Sequence, residues 1–310
     1  MLEHVIIAGV NKCGTTSLYR YLSNHPEVCA SSVKETHFFQ EYVTEKSELT
    51  YDNYRRFFRE CDSTRTVAVE ASPSYFTSGK SIAERIALVV PDAKLIIMLR
   101  DPVERLFSYF RSAQAYDNYA TPFLEGYSFA EFVREAIDAT RDGAGRDDKT
   151  TEFARALRQG NYAAHADNFH TVFADSQVHY VMFEDFRRAP GLALQDLCTF
   201  LGISNEFYKD YEFTIENKSR HFRYRRLQRL AFRINMRMEV LLNRNPALRR
   251  VIRSAYLRLN EQRTKGDAAI DKRSNEALTE YYSDSDRKLL RFVSERYPAL
   301  EPPGWLKATS

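Results

Sequence analysis

Gly9 and Gly14 stand five positions apart in the stretch GVNKCGTTSL, the frame of the phosphate loop G-x-x-x-x-G-K-[ST]. In that loop backbone amides cradle phosphates, and a lysine reaches the β- and γ-oxygens of a nucleoside triphosphate. Here Thr15 occupies the lysine position, and the nearest lysine, Lys12, lies inside the loop. An apolar, β-branched run, HVIIAGV, precedes it, and Leu18, Tyr19 and Leu22 follow at helical spacing. Strand, glycine loop and helix in that order aim N–H groups and the positive end of a helix dipole at one point, where an anion is stabilised. The expectation is a loop that holds a phosphate without the machinery for a γ-phosphate. An ordinary strand-to-helix turn has the same outline.

A second anion site is expected in LRDPVERLFSYF. An apolar strand ends at Arg100, Asp101 can cap the next helix, Pro102 suits its first position, and Ser108 falls about two turns along it. A guanidinium fork and a hydroxyl near the same sheet edge match phosphate oxygens. The alternative for Arg100 is a surface ion pair with Glu104 or Asp101.

Five apolar runs supply the strands that position these residues: HVIIAGV, PEVCASS near 26–32, TVAVEAS near 66–72, AKLIIMLR over 93–100 and VHYVMFEDF over 178–186. Helical patterns separate them, which predicts an α/β fold with a mostly parallel sheet covered on both faces. Ligands bind such sheets beyond the carboxyl ends of the strands. The residues to inspect are therefore Lys12 to Ser17, Lys34 to His37, Glu70 to Tyr75, Arg100 to Ser108, and Glu184 with Asp185.

One domain over residues 1–310 is expected, with a polar, partly helical insertion about 112–160 and a basic helical segment about 221–262. At 44% hydrophobic and 28% charged residues the chain has the composition of a globular protein with a sizeable core. Net charge is only +3, but Arg220 to Arg263 holds thirteen arginines against Glu239 and Glu261. Such a segment reads as a solvated helical face, a surface for a polyanionic acceptor, or a contact with an anionic membrane. Phe222, Tyr224, Leu227, Leu230, Phe232 and Ile234 interleave with the arginines, so one face is expected to be buried, and nucleic acid is not the expected partner. No run approaches the ~18 apolar residues of a membrane span, and the start of the chain has no signal-peptide pattern. Cys13, Cys29, Cys61 and Cys198 show neither disulfide-framework nor zinc spacing, so a reducing, cytoplasmic setting is expected, with peripheral membrane contact as an option.

With two phosphate sites on one sheet, the chain resembles the sulfotransferases that use 3′-phosphoadenosine 5′-phosphosulfate (PAPS), in particular the heparan sulfate sulfotransferases and their bacterial relatives. KCGTTSL is similar to their 5′-phosphosulfate loop, and LRDPVERLFSYF to their 3′-phosphate strand and helix. HPEV with KETHFF, EASPSYF, GNYAAHADNF, FLGI, NKSRHF and the ending YYSDSDRKLLRFV…PGW extend the likeness over nearly the whole chain.

The resemblance implies a P-loop-like three-layer fold and sulfuryl transfer from PAPS, without a metal, to a hydroxyl or amine of a carbohydrate or glycolipid. Glu35 is then the general base, Lys12 the cation at the breaking bond, and His37 an orienting or merely structural neighbour. Lys12, Cys13, Gly14, Thr15, Thr16 and Ser17 would hold the 5′-phosphate, Arg100 and Ser108 the 3′-phosphate, and Ser219 and Arg220 belong to a covering loop. Glu70, Tyr75, Tyr162 and His165 would line the acceptor cleft. Relatives often carry a lysine at the position of Ala71, and many a lysine at Arg220 and a glycine at His221. Rival readings are a P-loop kinase or ATPase, which the missing lysine at 15 disfavours, and a non-catalytic basic protein that binds membranes or polyanions.

Overall fold

The computed structural model describes residues 2–115, 124, 126–141, 148–213, 221–222, 261–262 and 269–308. Five strands form one parallel sheet in the order β2-β3-β1-β4-β5: β1 (Glu3–Gly9), β2 (Val28–Ala30), β3 (Val67–Ala71), β4 (Lys94–Leu99) and β5 (Val178–Met182). β2 to β5 each lie within one of the expected apolar runs, and β1 begins one residue before its run. Their residues are nearly all buried, as the strands of a sheet covered on both faces must be. The last run stops being strand at Met182, and Phe183–Arg188 turns into a short helix instead.

The helices between strands are α1 (Thr15–Ser23), α2 (Tyr51–Tyr54), α3 (Lys80–Val89), α4 (Pro102–Ala115), α5 (Phe129–Arg141), α6 (Asp148–Arg158) and α7 (Tyr162–His170). After β5 come α8 (Phe183–Arg188), α9 (Pro190–Leu201), α10 (Lys272–Arg296) and α11 (Gly304–Lys307). This is the expected P-loop-like α/β layering. The chain leaves β1 toward β3 and β2 on one side and returns to β4 and β5 on the other. The direction of winding therefore reverses at β1, and the carboxyl end of β1 lies in the crevice where such sheets bind ligands.

The chain divides into two units, one of residues 1–106, 155–216 and 277–310, the other of 107–154 and 217–276. The first contains the sheet. In the second, Phe132 packs edge-on against Phe153 with ring centroids 4.9 Å apart, and Lys149 pairs with Glu135 at 2.7 Å. The expected basic helices fall almost wholly outside the described residues. At their two ends His221–Phe222 and Glu261–Gln262 form a short antiparallel pair, β6 and β7, rather than helix. No helix among the described residues is long and apolar enough to cross a membrane.

One expectation is overturned. Cys29, on the edge strand β2, is disulfide-bonded to Cys61, 32 residues on, while Cys13 and Cys198 are free and buried. The pairing was invisible in the spacing because the two cysteines meet only when the chain after α2 returns past β2. It removes the ground on which a reducing compartment was expected.

Candidate active site

The glycine loop leaves β1 in a tightly packed setting. A Cβ on Gly9 would lie 2.7 Å from the Cβ of Phe76, so no larger residue fits without displacing it. Val10 N–H donates to the Met98 carbonyl on β4 at 3.0 Å, and Cys13 N–H to the Val10 carbonyl at 3.1 Å. Gly14, at φ 90°, is the N-cap of α1, in a left-handed conformation that only glycine adopts freely. It provides no side-chain cap, and the first amides of a helix have no partner within it. Gly14 carbonyl takes the amides of Ser17 and Leu18, which closes the first turn. Thr15 is buried, and Thr16 and Ser17 are half-buried at the mouth of the helix. Cys13, expected among the phosphate binders, is turned inward with no exposed surface. Burial pushes its thiol up to about 12, against the opposing pull of Arg105 and Arg100.

Lys12 sits at φ 74°. Burial, and then the neighbouring Arg100 charge, pull its ammonium below its ordinary pKa, with Glu35 acting in the opposite direction. None of the described residues bonds its Nζ, which leaves a partly desolvated cation beside the helix mouth.

Glu35 and His37 lie on the segment after β2. Glu35 N–H donates to the Ala71 carbonyl at the end of β3 at 3.0 Å, and this places the residue at the carboxyl edge of the sheet. Its Oε1 accepts from Lys34 Nζ at 2.5 Å, and its Oε2 lies 3.6 Å from His37 Nε2. His37 and then Lys34 hold the carboxyl down at about 2 despite burial, so it is ionised across the working pH range. Glu35 has φ 62° and His37 φ 52°. With Lys12 these are the non-glycine residues of positive φ among the described residues, each at a cost of roughly 1–3 kcal/mol, and such outliers concentrate at functional sites.

Arg100 follows β4. Its Nη1 donates to the Lys12 carbonyl at 3.3 Å, its Nη2 to Glu104 Oε2 at 3.2 Å, and its guanidinium stacks over Phe183 at 4.7 Å. It therefore forms the expected alternative ion pair and also grips the loop. Asp101 caps α4 as expected, its Oδ1 accepting from Val103 N–H at 2.8 Å and Glu104 N–H at 3.3 Å, with Pro102 in the first turn. Ser108 lies half-buried on the second turn of α4, in the part that belongs to the second unit.

The residues expected to line the acceptor cleft are placed differently. Tyr162 is fully buried; its hydroxyl donates to the Arg100 carbonyl at 2.9 Å and lies 4.0 Å from Cys13 Sγ, so it braces the loop from behind. His165 Nε2 lies 3.1 Å from the Arg158 carbonyl beside Phe76, and burial lowers its pKa. Glu70 and Tyr75 have no exposed surface. Glu70 accepts from Thr36 Oγ1 at 2.5 Å, Ser72 Oγ at 3.0 Å and Tyr54 Oη at 3.4 Å, while Tyr75 Oη accepts from Phe39 N–H at 3.2 Å. Both are enclosed in the hydrogen-bonded interior rather than exposed at the sheet edge. Ser219 and Arg220 lie outside the described residues. Among the described residues, no group of three or more His, Cys, Asp or Glu side chains is placed to hold a metal ion.

Two residues within the stretches marked for inspection were given no role from the sequence. Lys34 bonds the Glu35 carboxylate directly, and its adjacency in sequence was the available signal. Arg105 has no exposed surface, and its position between the apolar residues Val103 and Leu106 of the helix was the only hint.

Together the elements offer open helix amides, a desolvated ammonium, a guanidinium and an ionised carboxylate at one sheet edge. That set fits an anionic group beside a proton acceptor. The family model described as "Sulfotransferase domain" matches residues 2–262. The chain is 27% identical over 211 residues to the bifunctional heparan sulfate N-deacetylase/N-sulfotransferase 4 of Mus musculus, covering 66% of this chain and 23% of that protein. It is 36% identical over 140 residues to the membrane-associated sulfotransferase kil1 of Dictyostelium discoideum, covering 44% of this chain and 28% of that protein. The chain thus spans about a quarter of the length of these curated relatives. In fold it is similar to the crystal structure of a sulfotransferase from Alicyclobacillus acidocaldarius, with TM-score 0.62 at 24% identity over 98% of this chain and 99% of that one. With the family model covering most of its length, the chain belongs to the sulfotransferase family.

Proposed function

We propose that the protein moves a sulfuryl group from PAPS to a hydroxyl or amine of a carbohydrate or glycolipid acceptor. The observation that carries this reading is the left-handed trio Lys12, Glu35 and His37 at the carboxyl ends of β1 and β3, with Lys12 Nζ unpaired among the described residues. A triphosphate loop needs its lysine one residue past the second glycine, at the position of Thr15 here, whereas Lys12 sits on the near side of the helix mouth, beside the first phosphate an anion would place there. The groups of the first unit support PAPS as donor: the α1 amides with Thr15, Thr16 and Ser17 would hold the 5′-phosphate, and Arg100 would meet the 3′-phosphate. When bound, PAPS supplies the sulfuryl group on a leaving phosphate.

The chain's own residues do the rest. Lys12 neutralises negative charge at the loop, and its partial desolvation strengthens that interaction. Glu35, held ionised, takes the proton from the acceptor, a role typically worth ~10²- to 10⁴-fold. His37 and Lys34 orient the carboxylate. The heparan sulfate relatives support a sugar acceptor.

Isothermal titration with adenosine 3′,5′-bisphosphate, against ATP with Mg²⁺, tests the donor. Preference for the bisphosphate is expected, and preference for ATP would return the chain to the kinase reading. Transfer of radiolabel from PAPS to desulfated glycosaminoglycan tests the acceptor.

A further inference from the structure

Three consecutive residues of the Glu35 segment attach to three consecutive residues at the end of β3. Glu35 N–H donates to the Ala71 carbonyl at 3.0 Å, Thr36 Oγ1 to Glu70 Oε2 at 2.5 Å, and His37 N–H to Ser72 Oγ at 3.1 Å. Ser72 Oγ in turn donates to the same Glu70 oxygen at 3.0 Å. One carboxylate oxygen is thus the anchor for Thr36 and, through Ser72, for His37. The two residues that flank Thr36 have left-handed backbones, which an L side chain keeps only where its surroundings hold it.

Glu70 has no exposed surface, and no lysine or arginine among the described residues lies within ion-pair distance of it. Burying an unpaired carboxylate is unfavourable, and three hydroxyls offset that only in part. A carboxylate in this setting adds little to stability. It does specify geometry, since it fixes where two hydroxyls must sit.

We propose that Glu70 is a positioning residue for sulfuryl transfer, holding Glu35 and His37 in their working backbone conformation through Thr36 and Ser72. The proposal rests on the sulfotransferase reading of the site for its activity readout. Glu70 touches neither donor nor acceptor, so its loss lowers kcat and leaves nucleotide binding alone.

The experiment compares Thr36→Val, Thr36→Ser, Glu70→Ala and Glu70→Gln. Bisphosphate affinity, kcat, acceptor KM and the NMR signals of the His37 ring are measured for each. Glu70→Ala and Thr36→Val are expected to lose on the order of 10²-fold in kcat, the scale of a small misplacement of a reacting group, with bisphosphate affinity within about twofold. Thr36→Ser keeps the hydroxyl and Glu70→Gln keeps an acceptor oxygen, so both are expected to stay within a few-fold of the wild-type kcat. Should Glu70→Ala fail to fold, Thr36→Val decides, because it preserves the volume and the β-branch. Wild-type kcat in folded Thr36→Val overturns the proposal, as does an equal loss in Thr36→Ser. If the wild type neither binds the bisphosphate nor turns over, the donor reading fails instead. The His37 signals then decide positioning: displacement in Thr36→Val but not Thr36→Ser supports it, and unchanged signals in both overturn it.

Discussion

Lys12, Glu35 and His37 illustrate how local strain can be read once the backbone is known. The residue types were legible in the motifs, but their left-handed conformations were not, because their backbone partners are distant in the chain: Ala71 for Glu35, Ser72 for His37 and Arg100 for Lys12. Lys12→Ala is expected to lower kcat by about 10²- to 10³-fold, as loss of a charge-stabilising donor does, and to weaken bisphosphate binding. Glu35→Gln is expected to lower kcat by ~10²- to 10⁴-fold with bisphosphate binding nearly intact, checked by titration calorimetry beside steady-state rates. Glu70 adds a pH prediction. Burial raises its carboxyl to about 7 from an ordinary 4.5, against the pull of Thr36, Ser72 and Tyr54. A raised carboxyl favours the folded state most below pH 4.5, and that contribution is lost as pH rises through 7. The stability of the wild type relative to Glu70→Gln should therefore fall between pH 4.5 and 7 and level off above. Urea titrations over that range check it, and a flat difference would contradict the assignment.

At the scale of elements, the segment from β4 into α4 is held at two points by the corner between α6 and α7. Tyr162 donates to the Arg100 carbonyl, and Arg105 Nη2 donates to the Ala156 carbonyl at 2.5 Å, with Nη1 3.4 Å from Gln159 Oε1. Arg105 has no carboxylate partner among the described residues. The carbonyls at the negative end of α6 compensate its charge instead. Arg105→Met leaves the Ala156 carbonyl without this donor and is expected to destabilise by about 1–3 kcal/mol, the cost of an unmet buried group, read as a lower urea midpoint. Arg105→Lys keeps the charge but not the fork and should fall between the two. The strands and the α4 cap were legible because apolar runs and an Asp-Pro start are local signals. The Arg105 anchor was not, since an arginine at a buried helix position has no meaning until the facing element is known.

At the scale of the whole molecule, the Cys29–Cys61 disulfide encloses the entire segment that carries Glu35 and His37. Closing a loop of 32 residues removes unfolded-state entropy worth roughly 3–4 kcal/mol in the chain-entropy account. Reduction, or the double substitution of Cys29 and Cys61 by alanine, should lower stability by that order, measured by urea unfolding with and without reductant. Alkylation of the unfolded, unreduced protein should label two cysteines, and equal labelling of all four would contradict the pairing. The sequence by itself determined the parallel α/β sheet, the glycine loop with its internal lysine and the arginine after β4. All are set by short-range spacing, and β1 to β5 formed where their apolar runs stood. Only the tertiary structure decided that Glu70 is buried, that Cys13 faces inward, that Cys29 meets Cys61 and that Glu35 and His37 hold left-handed backbones. Each of these is a contact between residues distant in the chain, and its energy comes from burial and hydrogen bonding that exist only after the sheet has assembled.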